Sequence, residues 1–151
     1  EAFDAELAAT IDRHQPALVV LAGFMRVLGD DFVRHYEGRV INIHPSLLPS
    51  FAGLHTHRRA IEAGVRLHGA TVHFVTPTLD CGPIIIQGAL AVSTDDDEEA
   101  LATRVLEIEH RIYPQAVRWF VEGRLRIEGS RVRLSGAVPQ NQTLSAPLLD
   151  A

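Results

Sequence analysis

The chain has 151 residues, 46% apolar and 22% charged, a balance that suits one globular domain with a real core and excludes a disordered chain. Its net charge of -5 gives no general attraction to nucleic acid or to an anionic membrane, and all 14 basic residues are arginines, which excludes Schiff-base chemistry through lysine. The one cysteine, Cys81, excludes an internal disulfide framework and fits a reducing cytoplasm.

In chain order, "FDAELAATIDRH" spaces Phe3, Leu7 and Ile11 as one helical stripe, and Gln15-Pro16 ends it. "ALVVLA" (17–22) is a continuous apolar run of strand length, as expected of a parallel strand covered on both faces. "GDDFVRHY" predicts a short helix, and "RVINI" (39–43) a second buried strand. A helix is expected over "THRRAIEAG", closed by Gly64 as its C-cap. "GATVHFVT" and "PIIIQGALAV" read as strands joined by the turn chemistry of "PTLDCG". Thr94 with Asp97 forms a capping-box pattern ahead of a helix whose stripe is Leu101, Val105, Ile108 and Ile112; Pro114 is expected to kink or break it, and Gly123 to end it. "RLRI" and "RVRL" alternate around "EGS" as a hairpin with its arginines on the wet face. The "NQT" sequon near the end carries no weight without a secretory context. No apolar run reaches membrane-spanning length, no internal repeat occurs, and the alternation of helix and strand predicts an α/β domain with a mostly parallel, Rossmann-like sheet flanked by helices.

Ligands of open α/β sheets bind beyond the carboxyl ends of the strands. Asn42 and His44 stand where the second strand runs out, and their alternate spacing puts both on one face. An amide can donate to a developing oxyanion, and an imidazole can give or take a proton near neutral pH. Asp80, in the turn between the next two strands, is the carboxylate that would favour the charged imidazole. This set is equipment for acyl or formyl transfer, while each residue taken alone reads equally well as a strand-end or turn residue. Cys81 reads as a small turn residue. His55 and His57 lack an acidic or cysteine partner at ligand spacing, so no metal is expected. His73 shares a strand face with Thr71 and reads either as a supporting residue or as a packed core histidine.

The segments "FMRVL", "INIHPSLLPSFAGLHTHRRAIEAG", "HGATVHFVTPTLDCGPIIIQ" and "EHRIYP" together resemble the phosphoribosylglycinamide formyltransferases of purine synthesis, through about residue 135. The resemblance implies transfer of a formyl group from 10-formyltetrahydrofolate, a co-substrate, to the amine of glycinamide ribonucleotide, with no metal, no nucleic-acid partner and no membrane. It implies that Asn42 is the oxyanion donor, His44 the proton donor and Asp80 the support of that histidine. It places Met25, Arg26, Val27 and Leu28, together with Asn42 and Thr76, Pro77, Thr78, Leu79 and Asp80, around the folate. It gives Pro45 and Glu109 to the nucleotide, and puts Thr71 and His73 beside the site as supporting residues. A monomer or weak homodimer in the cytoplasm is the matching expectation, with residues 1–136 as the catalytic domain and 137–151 as an unstructured tail.

The chain opens on Glu1 and lacks the glycine-serine-asparagine loop with which that family holds a phosphate at a helix N-terminus. The expectation is therefore of a chain without the family's first strands, weak toward nucleotide, with "ALVVLA" left as an open edge prone to association. Formyltetrahydrofolate hydrolase, which shares the Asn-x-His and Asp set, is the nearest rival. A tRNA formyltransferase would need a basic surface. A folate-binding module without activity is the remaining alternative.

Overall fold

A computed structural model describes residues 1–24 and 26–151. Helix α1 (Ala2–Asp12) leads to strand β1 (Val19–Leu21), the short helix α2 (Asp30–His35) and strand β2 (Val40–His44). Helix α3 (Thr56–Ala63) follows, then strands β3 (Leu67–Phe74) and β4 (Ile84–Ala91), the long helix α4 (Glu98–Val121), and the hairpin of β5 (Leu125–Glu128) and β6 (Arg131–Leu134). Beyond Leu134, among the described residues, the chain forms no helix or strand. No helix among them is long and apolar enough to cross a membrane.

The strands form one sheet in the order β1-β2-β3-β4-β6-β5. The α/β architecture is as expected, but the sheet is mixed rather than mostly parallel. Only β1 with β2 and β4 with β6 run parallel; the other three pairings are antiparallel. The reason lies partly in connection length: residues 75–83 between β3 and β4 are too few for the crossover that a parallel pair requires.

Strand alternation divides the side chains between two layers. Ile41 and Ile43 of β2 and Ala70, Val72 and Phe74 of β3 point into the larger core, where Leu101, Val105, Ile112 and Ala116 of α4 meet them. Val40 points to the other face, into a smaller cluster with Leu28, Phe32, Val33 and Tyr36, against which Leu7 and Ile11 of α1 pack. Burying each large aliphatic side chain of these layers contributes about 1.5–3 kcal/mol. The residues between them on β2 and β3, namely Asn42, His44, Thr71 and His73, share the second face, where the helices leave a hollow at the strand ends.

Helix α4 departs from expectation at Thr94, and of the kink or break expected at Pro114 it shows no break. Its N-cap is Asp97, whose carboxylate accepts the N–H of Ala100 at 2.8 Å; Thr94 lies ahead of the helix and does not cap it. The acidic run offered several oxygens, and the one on the extended residue immediately before the helix caps it. The helix also runs unbroken through Pro114. Burial of Ile112 and Ala116 on either side holds the backbone helical despite the missing N–H. The Tyr113 hydroxyl, beside the proline, reaches the carbonyls of Leu21 and Ile41 and so ties α4 to β1 and β2. At the other expected stop, Gly64 caps α3 with φ of 70°, a left-handed conformation that glycine adopts without strain.

Candidate active site

A cavity of about 620 Å³ opens at the carboxyl ends of β1 and β2. Asn42 and His44 reach it from β2, and Asp80 reaches it from the β3–β4 connection. Asp80 sits at φ of 51°, in the left-handed region that aspartate tolerates better than most residues, and this bend turns its carboxylate inward. Its Oδ2 accepts the N–H of Gly53 at 2.9 Å, while Oδ1 lies 3.7 Å from His44 Nδ1. Both side chains of that pair are about nine-tenths buried, so water screens their interaction little.

The other nitrogen of His44 fixes its tautomer. Nε2 lies 2.9 Å from the carbonyl oxygen of Phe51, which can only accept, so Nε2 carries a hydrogen. Nδ1 then faces Asp80 as the position for a second proton. Loop residues 51–53 thus contact both members of the pair, through the Phe51 carbonyl and the Gly53 N–H.

Asn42 is held by His73, directly across the β2–β3 register. His73 Nδ1 donates to the carbonyl of Phe74 at 2.9 Å, which leaves Nε2 as an acceptor toward Asn42 Nδ2 at 3.5 Å. Burial lowers the His73 pKa, keeping the ring neutral and that lone pair available. One amide hydrogen of Asn42 is so engaged, and the second remains to donate into the cavity. A register irregularity between Val72 and His73, where β4 carries an extra residue, adjusts the strand at this point.

Of the other residues singled out from sequence, Arg26, Val27, Leu28, Pro45, Thr76, Pro77, Thr78, Leu79 and Glu109 all line the cavity. Met25 lies outside the described residues. Thr71 does not line the cavity. Its buried hydroxyl donates to the carbonyl of Ser46 at 2.7 Å and accepts from the N–H of Leu48 at 3.1 Å, pinning the turn after His44. Glu109, on α4, has its pKa raised, chiefly by burial, with His110 and His44 pulling the other way. The carboxylate is a desolvated acceptor facing the cavity. Within the 76–80 segment, the Thr76 hydroxyl donates to the Thr78 carbonyl at 3.2 Å, a local bond that shapes the bend.

Several contributors escaped the sequence reading. Gln87 of β4 donates to the Leu48 carbonyl at 2.9 Å and to the Thr71 hydroxyl at 3.0 Å, completing the support of the turn. Its polar position on an apolar strand was the available signal. His57 lines the cavity and bonds His68 across 3.1 Å. Phe24, Leu54 and Val75 supply apolar wall. Among the described residues no group of three or more His, Cys, Asp or Glu side chains is placed to hold a metal ion.

The chain is similar to proteins of one family. A family model described as formyl transferase matches residues 1–117. Phosphoribosylglycinamide formyltransferase of Escherichia coli (strain K12) is 52% identical over 136 residues, which cover 90% of this chain and 64% of that protein. Among solved structures, glycinamide ribonucleotide transformylase 1 from Symbiobacterium toebii superposes with a TM-score of 0.86 at 52% identity, over 88% of this chain and 63% of that one. A formyltetrahydrofolate deformylase from Pseudomonas syringae pv. tomato superposes with a TM-score of 0.85 at 36% identity, over 89% of this chain and 45% of that one. The chain spans less than two thirds of the length of the curated relatives it matches.

Proposed function

The chain belongs to the formyl transferase family, and from that premise we propose that it carries the catalytic part of a phosphoribosylglycinamide formyltransferase, moving a formyl group from 10-formyltetrahydrofolate to the amine of glycinamide ribonucleotide. The convergence of Asn42, His44 and Asp80 from two separate chain segments on one cavity carries this reading. The amine attacks the formyl carbon, and the carbonyl oxygen takes the charge of the tetrahedral intermediate. Asn42 donates its second amide hydrogen to that oxygen. His44 donates the Nε2 hydrogen once a substrate oxygen takes the place of the Phe51 carbonyl. Collapse breaks the bond to the folate nitrogen, which leaves with a proton while the former amine loses one; Asp80 balances the charge on His44 during this exchange. Removing one such donor commonly costs about 3 kcal/mol of barrier.

The apolar side of the cavity suits a flat folate ring. Arg26, Val27 and Leu28 form one lip, and Thr76 to Asp80 the other. Glu109 has the acceptor oxygens that ribose hydroxyls need, and Pro45 lines the same cavity. Thr71 and His73 hold the turn and the amide. In this reading residues 1–136 are the catalytic domain, 137–151 are a tail that takes no part, and the protein works in the cytoplasm as a monomer or weak homodimer.

The test is formyl transfer followed by folate absorbance, with Asn42→Ala, His44→Ala and Asp80→Ala alongside. Folate release that requires glycinamide ribonucleotide and collapses in all three variants supports the proposal. Release that ignores the nucleotide favours formyl transfer to water, the reading suggested by the likeness to the deformylase. Folate binding with no release in any condition would refute catalysis by this chain.

A further inference from the structure

No residue of α1 lines the cavity, yet that helix grips the cavity's rim. Asp4 Oδ2 accepts the N–H of Gly29 at 2.8 Å. The guanidinium carbon of Arg26 lies 3.9 Å from the centre of the Phe3 ring. Between these two contacts Leu28 is buried in the cluster against which Leu7 packs. The segment 26–29 is thus held from behind, while Arg26, Val27 and Leu28 face the cavity.

The sequence shows why the grip comes from so far away. Gly29 is the N-cap of α2 and has no side chain with which to cap it. In a capping box, the third residue of the helix reaches back to the N-cap N–H with a Glu or Gln. Here that residue is Phe32, which is buried and has no acceptor to offer. Asp4 supplies the missing carboxylate. The far end of α1 is anchored as well: Asp12 accepts from the Tyr36 hydroxyl at 2.7 Å and bonds His35 at 2.8 Å. With both ends tied, α1 acts as a strut whose first turn sets where the 26–29 segment stands.

We infer that Asp4 and Phe3 are positioning residues that hold the 26–29 rim in the shape that receives the folate ring. The inference rests on the folate reading above. It requires that loss of the grip weaken folate binding while leaving Asn42, His44 and Asp80 in place.

Calorimetric titration with a deaza analogue of 10-formyltetrahydrofolate tests it, using the unaltered chain, Asp4→Ala, Asp4→Asn and Phe3→Leu. A charge-assisted bond at an exposed site is worth roughly a fivefold change in affinity, so Asp4→Ala is expected to bind about fivefold more weakly. Asp4→Asn keeps an acceptor oxygen and is expected to recover most of that loss. Phe3→Leu leaves the carboxylate in place and should show a smaller loss, which serves if Asp4→Ala folds poorly. Hydrogen exchange at the Gly29 amide should quicken in Asp4→Ala and stay slow in Asp4→Asn. Equal affinity in the unaltered chain and Asp4→Ala would overturn the inference alone, as would equal losses in the two Asp4 variants. Failure of the unaltered chain to bind the analogue would overturn the folate reading and the inference with it.

Discussion

Acidification from pH 7.5 toward pH 5 should destabilise this protein through His68. His68 is 1% exposed, and its Nε2 meets His57 Nδ1 at 3.1 Å. Burial lowers its pKa from 6.5 to about 4, with the neighbouring His57 and His44 adding to the effect. His57 is lowered too, again chiefly by burial, against the opposing pull of Glu98. An unfolded chain takes up a proton at His68 near pH 6.5, while the folded chain refuses it until near pH 4. Between these values the unfolded state binds more protons, so stability rises with pH. The contribution is complete above about pH 6.5 and is lost progressively as pH falls toward 4. At about 1.4 kcal/mol per pH unit, that interval is worth on the order of 3 kcal/mol, reduced to about 2 by solvent relaxation around the pair.

Urea midpoints between pH 7.5 and 5 measure this directly, in the unaltered chain and in His68→Gln. The variant should be less stable at pH 7.5 but lose less on acidification. His73→Gln should likewise lose part of the acid slope, because that buried histidine is lowered as well. An acid slope in His68→Gln equal to that of the unaltered chain would refute the reasoning. So would an imidazole resonance of His68 that titrates near its ordinary value in the folded protein.

Other perturbations have equally definite outcomes. Tyr113→Phe removes the hydroxyl shared by the Leu21 and Ile41 carbonyls and should lower stability by about 1–2 kcal/mol in urea titration, with no loss of secondary structure. Gly69→Ala would place a Cβ 1.8 Å from the carbonyl oxygen of Gly88, backbone against backbone, so β3 and β4 must separate; the variant should be recovered misfolded, as read by circular dichroism. Asp97→Ala removes the cap on Ala100 and should cost about 1 kcal/mol, seen as a melting temperature lower by roughly 2–4 °C.

The candidate site was legible because its residues break a strong local pattern. Asn42 and His44 stand out on an apolar strand, while Asp80 is an ordinary turn residue that gains meaning only as a member of the set. The helix stripes were equally plain, since Leu101, Val105 and Ile112 repeat at the period of the face they bury. What was not legible depended on partners distant in sequence. Gln87 is visibly polar on an apolar strand, but its task appears only when Thr71 and Leu48 are placed beside it. The Phe51 carbonyl and Gly53 N–H are backbone groups that no residue pattern announces. The mixed sheet was legible in principle from the short 75–83 connection, but the alternation of helix and strand pointed to the parallel arrangement instead. Pro114 shows local preference yielding to tertiary packing.

The register of β2 against β3 sets Asn42 opposite His73 and His44 opposite Thr71. Ile41 and Ile43 occupy the intervening positions and face the main core. A slip of one residue would exchange the two sets, burying the amide and imidazole in hydrocarbon and exposing the isoleucines. One strand pairing therefore both places the site's polar side chains and buries the isoleucines. A collapsed intermediate with the strands misaligned would have a sheet but no working cavity. Recovery of ligand binding during refolding should thus trail compaction and coincide with the locking of this one strand pair, making function a clock for register.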